Sequence, residues 1–271
     1  MIIECKYLIK MEYIKKTKKT NKKNKKDNIN QENQIKDNIQ NDKVKYFLMI
    51  PLEKEDFIKT FNEMIQKLEN EKPKEFDKNL LMKPQKLHLT LAVLDINEDK
   101  EKTEQIKSII NDLIPKIKEI INNEFIFNFD KYDCFDSIKK AKVIFAKMLE
   151  DENHYKLKSI TNLIIMVLIK GNILNKDNLK NLKIFEEYSD GELIYTVKFH
   201  ATLLNLKYLN RALQEENKNS IEKKEFDASD IMECIKNIQF PECQMDKINL
   251  CAMREDQTNG KYEVIHSFNL L

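Results

Sequence analysis

Lys86-Leu87-His88-Leu89-Thr90-Leu91 and Lys198-Phe199-His200-Ala201-Thr202-Leu203 share one frame: lysine, apolar, histidine, any residue, threonine, leucine. They are the clearest internal repeat in this 271-residue chain, and they use two of its four histidines. The flanking residues are apolar and partly β-branched, which suits a strand. Side chains on a strand alternate between faces. His88 and Thr90 are therefore expected on one face, with Leu87, Leu89 and Leu91 on the other. His200 and Thr202 repeat the arrangement against Phe199, Ala201 and Leu203. One His-x-Thr on a half-buried strand is an ordinary coincidence; two in the same six-residue frame are not. With the two strands side by side, two imidazoles and two hydroxyls converge in one cleft.

That set of groups suits phosphodiester chemistry. A neutral imidazole acts as general base on a hydroxyl or a water, and a protonated one donates to the leaving oxygen. The unperturbed pKa of histidine lets both roles operate near neutral pH. Threonine hydroxyls donate hydrogen bonds to non-bridging phosphate oxygens as charge shifts in the transition state. The arrangement requires no metal and no cofactor.

The paired His-x-Thr-Leu motifs resemble the 2H phosphoesterase superfamily. Within it, the chain looks like the branch containing the phosphoesterase domain of A-kinase anchoring proteins and the C-terminal domain of activating signal cointegrator 1 complex subunit 1. Tyr46-Phe47-Leu48-Met49-Ile50-Pro51-Leu52 looks like the opening strand of that branch, and Val197–Asn205 is close to its second motif. Ile248–Met253 followed by Asn259-Gly260-Lys261-Tyr262 looks like its closing strand pair. The resemblance covers about residues 45 to 271. It implies His88 and His200 as the acid/base pair and Thr90 and Thr202 as phosphate binders. It also implies RNA ends or small nucleotides as substrates, with 2′,3′-cyclic or 2′,5′ phosphodiester linkages.

Composition narrows the alternatives. Charged residues make up 34% of the chain, yet the net charge is only +2, so no overall acidic or basic bias names a partner. The five cysteines fall at 5, 134, 234, 243 and 251. None forms a Cys-x-x-Cys pair or shares zinc-finger spacing with a histidine, which argues against a disulfide framework and a structural zinc site. Reduced thiols in the nucleus or cytoplasm fit this pattern. Glycine occurs only at 171, 191 and 260, which excludes a P-loop, a dinucleotide-binding fingerprint and the Gly-x-x-Gly loop of a KH domain.

Along the chain, residues 1–44 are expected to be a disordered tail rich in lysine and asparagine, and 45–271 the phosphoesterase-like domain. The run 15–26 is either a localisation or phosphate-contacting segment or a solvated tail. The scarcity of arginine, present only as Arg211 and Arg254, favours the solvated tail. Tyr46–Leu52 reads as a strand, and Glu53–Glu71 as an amphipathic helix through Phe57, Ile58, Phe61, Met64, Ile65 and Leu68. The first motif strand spans His88–Ile96. A second helix, Thr103–Ile121, carries Pro115 as a kink or break.

Glu124–Phe129 and Ala141–Met148 read as strands, with Phe125, Phe127 and Phe129 as core. His154–Leu174 reads as a buried helix, too short in its apolar run for a membrane span, with Gly171 at its cap. His154 is expected to be exposed or capping, and His266 structural. Asn175–Glu192 is expected to be a polar connector, Leu193–Leu206 to hold the second motif, and Asn210–Lys224 to be a loop. Asp227–Ile238 reads as a short helix with Ser229 as a possible cap. Met245–Arg254 and Lys261–Leu270 read as a hairpin turning at Asn259-Gly260.

The expected fold class is α+β: two similar lobes of antiparallel strands with flanking helices and the active-site cleft between them. The leading function is a metal-independent phosphodiesterase acting on an RNA or oligonucleotide substrate. The alternative is an RNA-binding subunit, weakly catalytic or non-catalytic, of a helicase-containing coactivator or alkylation-repair complex. The kinase-anchoring helix of the A-kinase relatives is not seen in the sequence, so anchoring of protein kinase A is not expected.

Overall fold

Strand β1, Tyr46–Pro51, is apolar at every position before its proline, and all five of those residues are buried. A strand covered on both faces needs that composition. The structure is a computed structural model and describes residues 45–122, 124–189, 191–216 and 221–271. The expected disordered tail lies outside the described residues.

After β1 come helix α1 (Glu55–Glu71), β2 (His88–Leu94), α2 (Lys100–Ile121), β3 (Ile126–Phe127), β4 (Phe129–Cys134), β5 (Val143–Met148) and α3 (Glu152–Lys170). Then follow β6 (Phe185–Ser189), β7 (Glu192–Thr196), β8 (His200–Asn205), α4 (Leu206–Glu216), α5 (Ser229–Ile235), β9 (Cys243–Gln244), β10 (Lys247–Glu255) and β11 (Tyr262–Asn269). Among the described residues, no helix is long and apolar enough to cross a membrane.

Seven strands form one antiparallel sheet in the order β11-β10-β1-β2-β8-β5-β4. The α+β class is therefore correct. The two expected lobes are halves of this sheet, β11-β10-β1-β2 and β8-β5-β4. They meet at a seam where β2 and β8 pair through Leu89 and Ala201.

The helices pack on one face of the sheet by their periodic apolar residues. Phe57, Phe61, Met64 and Leu68 of α1 are fully buried, as are Ile106, Ile110 and Ile117 of α2. Helix α2 runs through Pro115 without a break. The missing N–H costs about 3 kcal/mol, which the buried isoleucines on either side of Pro115 offset. Asp99 caps α2 and Asp151 caps α3, each accepting from a backbone N–H three residues on.

Several sequence-based boundaries are corrected. Asn210–Lys224 is not all loop: α4 covers Leu206–Glu216, anchored by buried Leu206, Leu209 and Asn210. Its charged outer face hides a one-sided helix. The connector Asn175–Glu192 contains a 3₁₀ segment, Lys176–Leu182, and strand β6, which among the described residues pairs only with β7 and is exposed over Phe185–Tyr188. The single strand expected at Glu124–Phe129 is two: β3 pairs with β9, and β4 joins the main sheet. Phe125 and Phe127 are core, as expected, and Phe129 packs against it.

Ser229 does not cap α5; the Asp227 carboxylate accepts its N–H at 2.9 Å. Gly171 does end α3, but with φ −78°. Its value is space, because a Cβ there would lie 2.8 Å from Ile109 Cδ1 on α2.

Candidate active site

The two motifs occupy neighbouring central strands, so the sheet itself brings them together. Leu89 and Ala201 are fully buried on the helix-covered face, while His88, Thr90, His200 and Thr202 are half-buried on the other. With Leu89 opposite Ala201, antiparallel order sets His88 across from Thr202 and His200 across from Thr90. The two imidazoles are then diagonal neighbours, whose backbones lie roughly 7–8 Å apart. All four expected site residues are thus gathered on one face at the seam. Among the described residues, neither threonine hydroxyl is taken by a hydrogen bond.

Each histidine is held in the same way. His88 Nδ1 lies 2.7 Å from the Lys86 carbonyl, and His200 Nδ1 lies 2.6 Å from the Lys198 carbonyl. A carbonyl only accepts, so Nδ1 carries the proton in both rings. That tautomer leaves each Nε2 with its lone pair free for a proton or a substrate.

Two aromatic rings flank each imidazole. Phe47 and Tyr262 stand 5.2 and 5.4 Å from His88. Phe135 and Phe145 each stand 5.0 Å from His200. In both half-sites one ring comes from an adjacent strand, β1 or β5, and the other from beyond it, β11 or the turn after β4. The lysine that supplies the carbonyl also sets its ammonium over the outer ring: Lys86 at 5.1 Å from the Tyr262 centroid and Lys198 at 5.6 Å from that of Phe135.

This enclosure sets the proton affinity. Burial, less the effect of the Lys86 carbonyl and with a further push from His200, lowers the His88 pKa to about 4. Burial also lowers that of His200, with the Lys198 charge adding to the effect against the pull of its carbonyl. Both rings rest neutral at neutral pH. Phosphate would raise both values, because an adjacent anion favours the imidazolium.

The half-sites differ in their acids. Glu255 on β10 accepts from Lys83 at 2.8 Å and from Lys86 at 2.6 Å, and the two lysines hold its carboxyl down at about 2. Lys198 is exposed and has no carboxylate within ion-pair distance among the described residues. Nor do the described residues gather three or more His, Cys, Asp or Glu side chains as a candidate metal site.

The remaining histidines are elsewhere. His154 is neither exposed nor the cap: Asp151 caps α3, and the half-buried ring packs 5.5 Å from Phe199, with Nδ1 unpartnered among the described residues. His266 packs 4.6 Å from Phe268 on β11. Sequence reasoning missed the four flanking aromatics and the role of the two lysines. The lysines were visible, since they open both copies of the repeat. The aromatics lie between 41 and 174 positions from the histidines they touch (Phe47 and Tyr262 from His88), with no local pattern to connect them.

The family model describing an AKAP7 2′5′ RNA ligase-like domain matches residues 44–270. None of the curated proteins matches the chain. Among solved structures it is similar to one described as a phosphoesterase, with 14% identity, a TM-score of 0.47, and coverage of 84% of this chain and 98% of that one. Escherichia coli LigT complexed with 3′-AMP matches at 13% identity and a TM-score of 0.47, covering 84% of this chain and 98% of that one. TT0787 of Thermus thermophilus matches at 14% identity and a TM-score of 0.47, covering 83% and 97%. The match of the family model over nearly all of the described residues places the chain in the AKAP7 2′5′ RNA ligase-like domain family, within the 2H phosphoesterase superfamily.

Proposed function

We propose that the chain is a phosphodiesterase for RNA ends or small oligonucleotides, with His88 and His200 as its acid/base pair and Thr90 and Thr202 as its phosphate donors. The observation that carries the reading is the pair of Nδ1-to-carbonyl hydrogen bonds, which leave two Nε2 atoms free at one seam of the sheet. His88, kept neutral by burial, takes the proton from the attacking ribose hydroxyl. That oxygen bonds to phosphorus as the bond to the leaving oxygen breaks. His200, protonated when the phosphate anion arrives, gives its proton to the leaving oxygen. The products are a 2′,3′-cyclic phosphate and a free hydroxyl. For a cyclic phosphate attacked by water the same two groups serve, with roles exchanged. Thr90 and Thr202 donate to the non-bridging oxygens, where charge shifts most in the transition state.

The test offers an RNA oligomer ending in a 2′,3′-cyclic phosphate and a 2′,5′-linked oligoadenylate, with a chelator present. His88→Ala and His200→Ala are each expected to lower kcat by ~10² or more. Full activity in both variants, or no turnover of either substrate by wild type, would overturn the reading.

A further inference from the structure

We infer that the two half-sites are functionally unequal, and that Lys198, held over Phe135 beside His200, binds a second phosphate of an oligonucleotide, one nucleotide from the scissile one. The inference rests on the phosphodiesterase reading above and extends it to the substrate's length and polarity.

The repeat supplies an internal comparison. Lys86 and Lys198 hold the same frame position, support their histidines through the same carbonyl contact, and lie over equivalent rings. Lys86 is nonetheless spent: its side chain is only 11% exposed and its ammonium is paired with Glu255. Lys83 shares that carboxylate. Lys147, opposite His200 across β5, is paired with Glu150 at 2.8 Å. Among these four lysines, Lys198 alone has no carboxylate in the described residues, and it is exposed to solvent.

A lysine held over an aromatic face has lost part of its side-chain freedom before any ligand arrives, which lowers the entropic cost of binding. The Lys198 ammonium lies 5.6 Å from the centre of the Phe135 ring, and that ring stands 5.0 Å from the His200 imidazole, so a single ring separates the two groups, a span that the neighbouring phosphate of a single strand can bridge. On the His88 side both ammoniums, Lys83 and Lys86, are engaged by the single carboxylate of Glu255, which leaves that cluster one net positive charge but no lysine without a carboxylate partner. A strand carrying two phosphates is therefore expected to prefer the polarity that sets its second phosphate at the unpaired Lys198.

The experiment compares three 2′,5′-linked substrates: a dinucleotide without a terminal phosphate, the same with a 5′-phosphate, and the same extended by one 3′ nucleotide. Wild type is expected to show about tenfold lower KM for one of the two phosphate-bearing substrates, the size of one charge-assisted hydrogen bond. The salt dependence of that KM should be steeper by about 0.7 in log–log slope. Lys198→Met is expected to abolish the preference and the extra slope, and Lys198→Arg to keep both. Equal KM for all three substrates in wild type, or a preference that survives Lys198→Met, would overturn the inference while leaving the phosphodiesterase reading intact. Turnover of none of them would remove both.

Discussion

Acidification probes the enclosure of His88 directly. In the unfolded chain this imidazole binds its proton near pH 6.5, and in the folded protein at about 4. Between those values only the unfolded state takes up the proton, so stability is full above pH 6.5, falls as the pH drops through this window, and levels off below 4. Each pH unit of the window is worth ~1.4 kcal/mol. The His88 contribution is then roughly 2–3.5 kcal/mol, the lower figure allowing for partial exposure of the ring. His200 and His154 are shifted the same way by burial and add to the same limb. The comparison that isolates His88 is His88→Asn, whose amide can still donate to the Lys86 carbonyl. Urea unfolding at pH 7, 5.5 and 4 should show wild type losing about 2–3 kcal/mol more than the variant. Parallel loss in the two proteins, or an NMR titration of His88 centred near 6.5, would refute the account of a desolvated imidazole.

Two further outcomes follow from packing and charge. Gly171→Ala places a methyl 2.8 Å from Ile109 Cδ1 and 3.3 Å from the Val167 carbonyl, and is expected to cost about 1–3 kcal/mol in chemical denaturation. Glu255→Gln removes the anion shared by Lys83 and Lys86 and should cost about 1 kcal/mol or less at pH 7, since solvent screens the pair. Because the Glu255 carboxyl titrates at about 2 in the folded protein, its stabilising effect is present above its unfolded pKa and disappears as the pH falls towards 2, which acid unfolding of wild type beside the variant would reveal.

The core of the candidate site was legible because it is local. A six-residue frame carries its own strand alternation, and its repetition named His88, Thr90, His200 and Thr202 without any knowledge of the sheet. The helices with a wide apolar stripe, α1 and α2, were legible for the same reason. What escaped depends on distance or on weak pattern. Phe47, Phe135, Phe145 and Tyr262 become partners of the histidines only through strand order. Helix α4 shows few buried positions among its charges, and Phe185–Tyr188 of β6 are all exposed. The internal symmetry of the half-sites, down to the lysine over each ring, was present in the repeat. The broken symmetry was not, since it depends on Glu255, 169 positions from Lys86.

The pairing of β1 bears on the order in which the site is completed during synthesis. His88 is made early, but its half of the sheet closes only when β10 and β11 add to β1. Until those last residues leave the ribosome, Tyr46-Phe47-Leu48-Met49-Ile50 presents a bare apolar edge, and Tyr262 is missing from beside the imidazole. Such an edge is a template for pairing with another chain. A nascent or C-terminally clipped chain thus lacks Tyr262 beside His88 and leaves that edge uncovered, while the strands of the half bearing His200, β4, β5 and β8 within residues 129–205, have already been made.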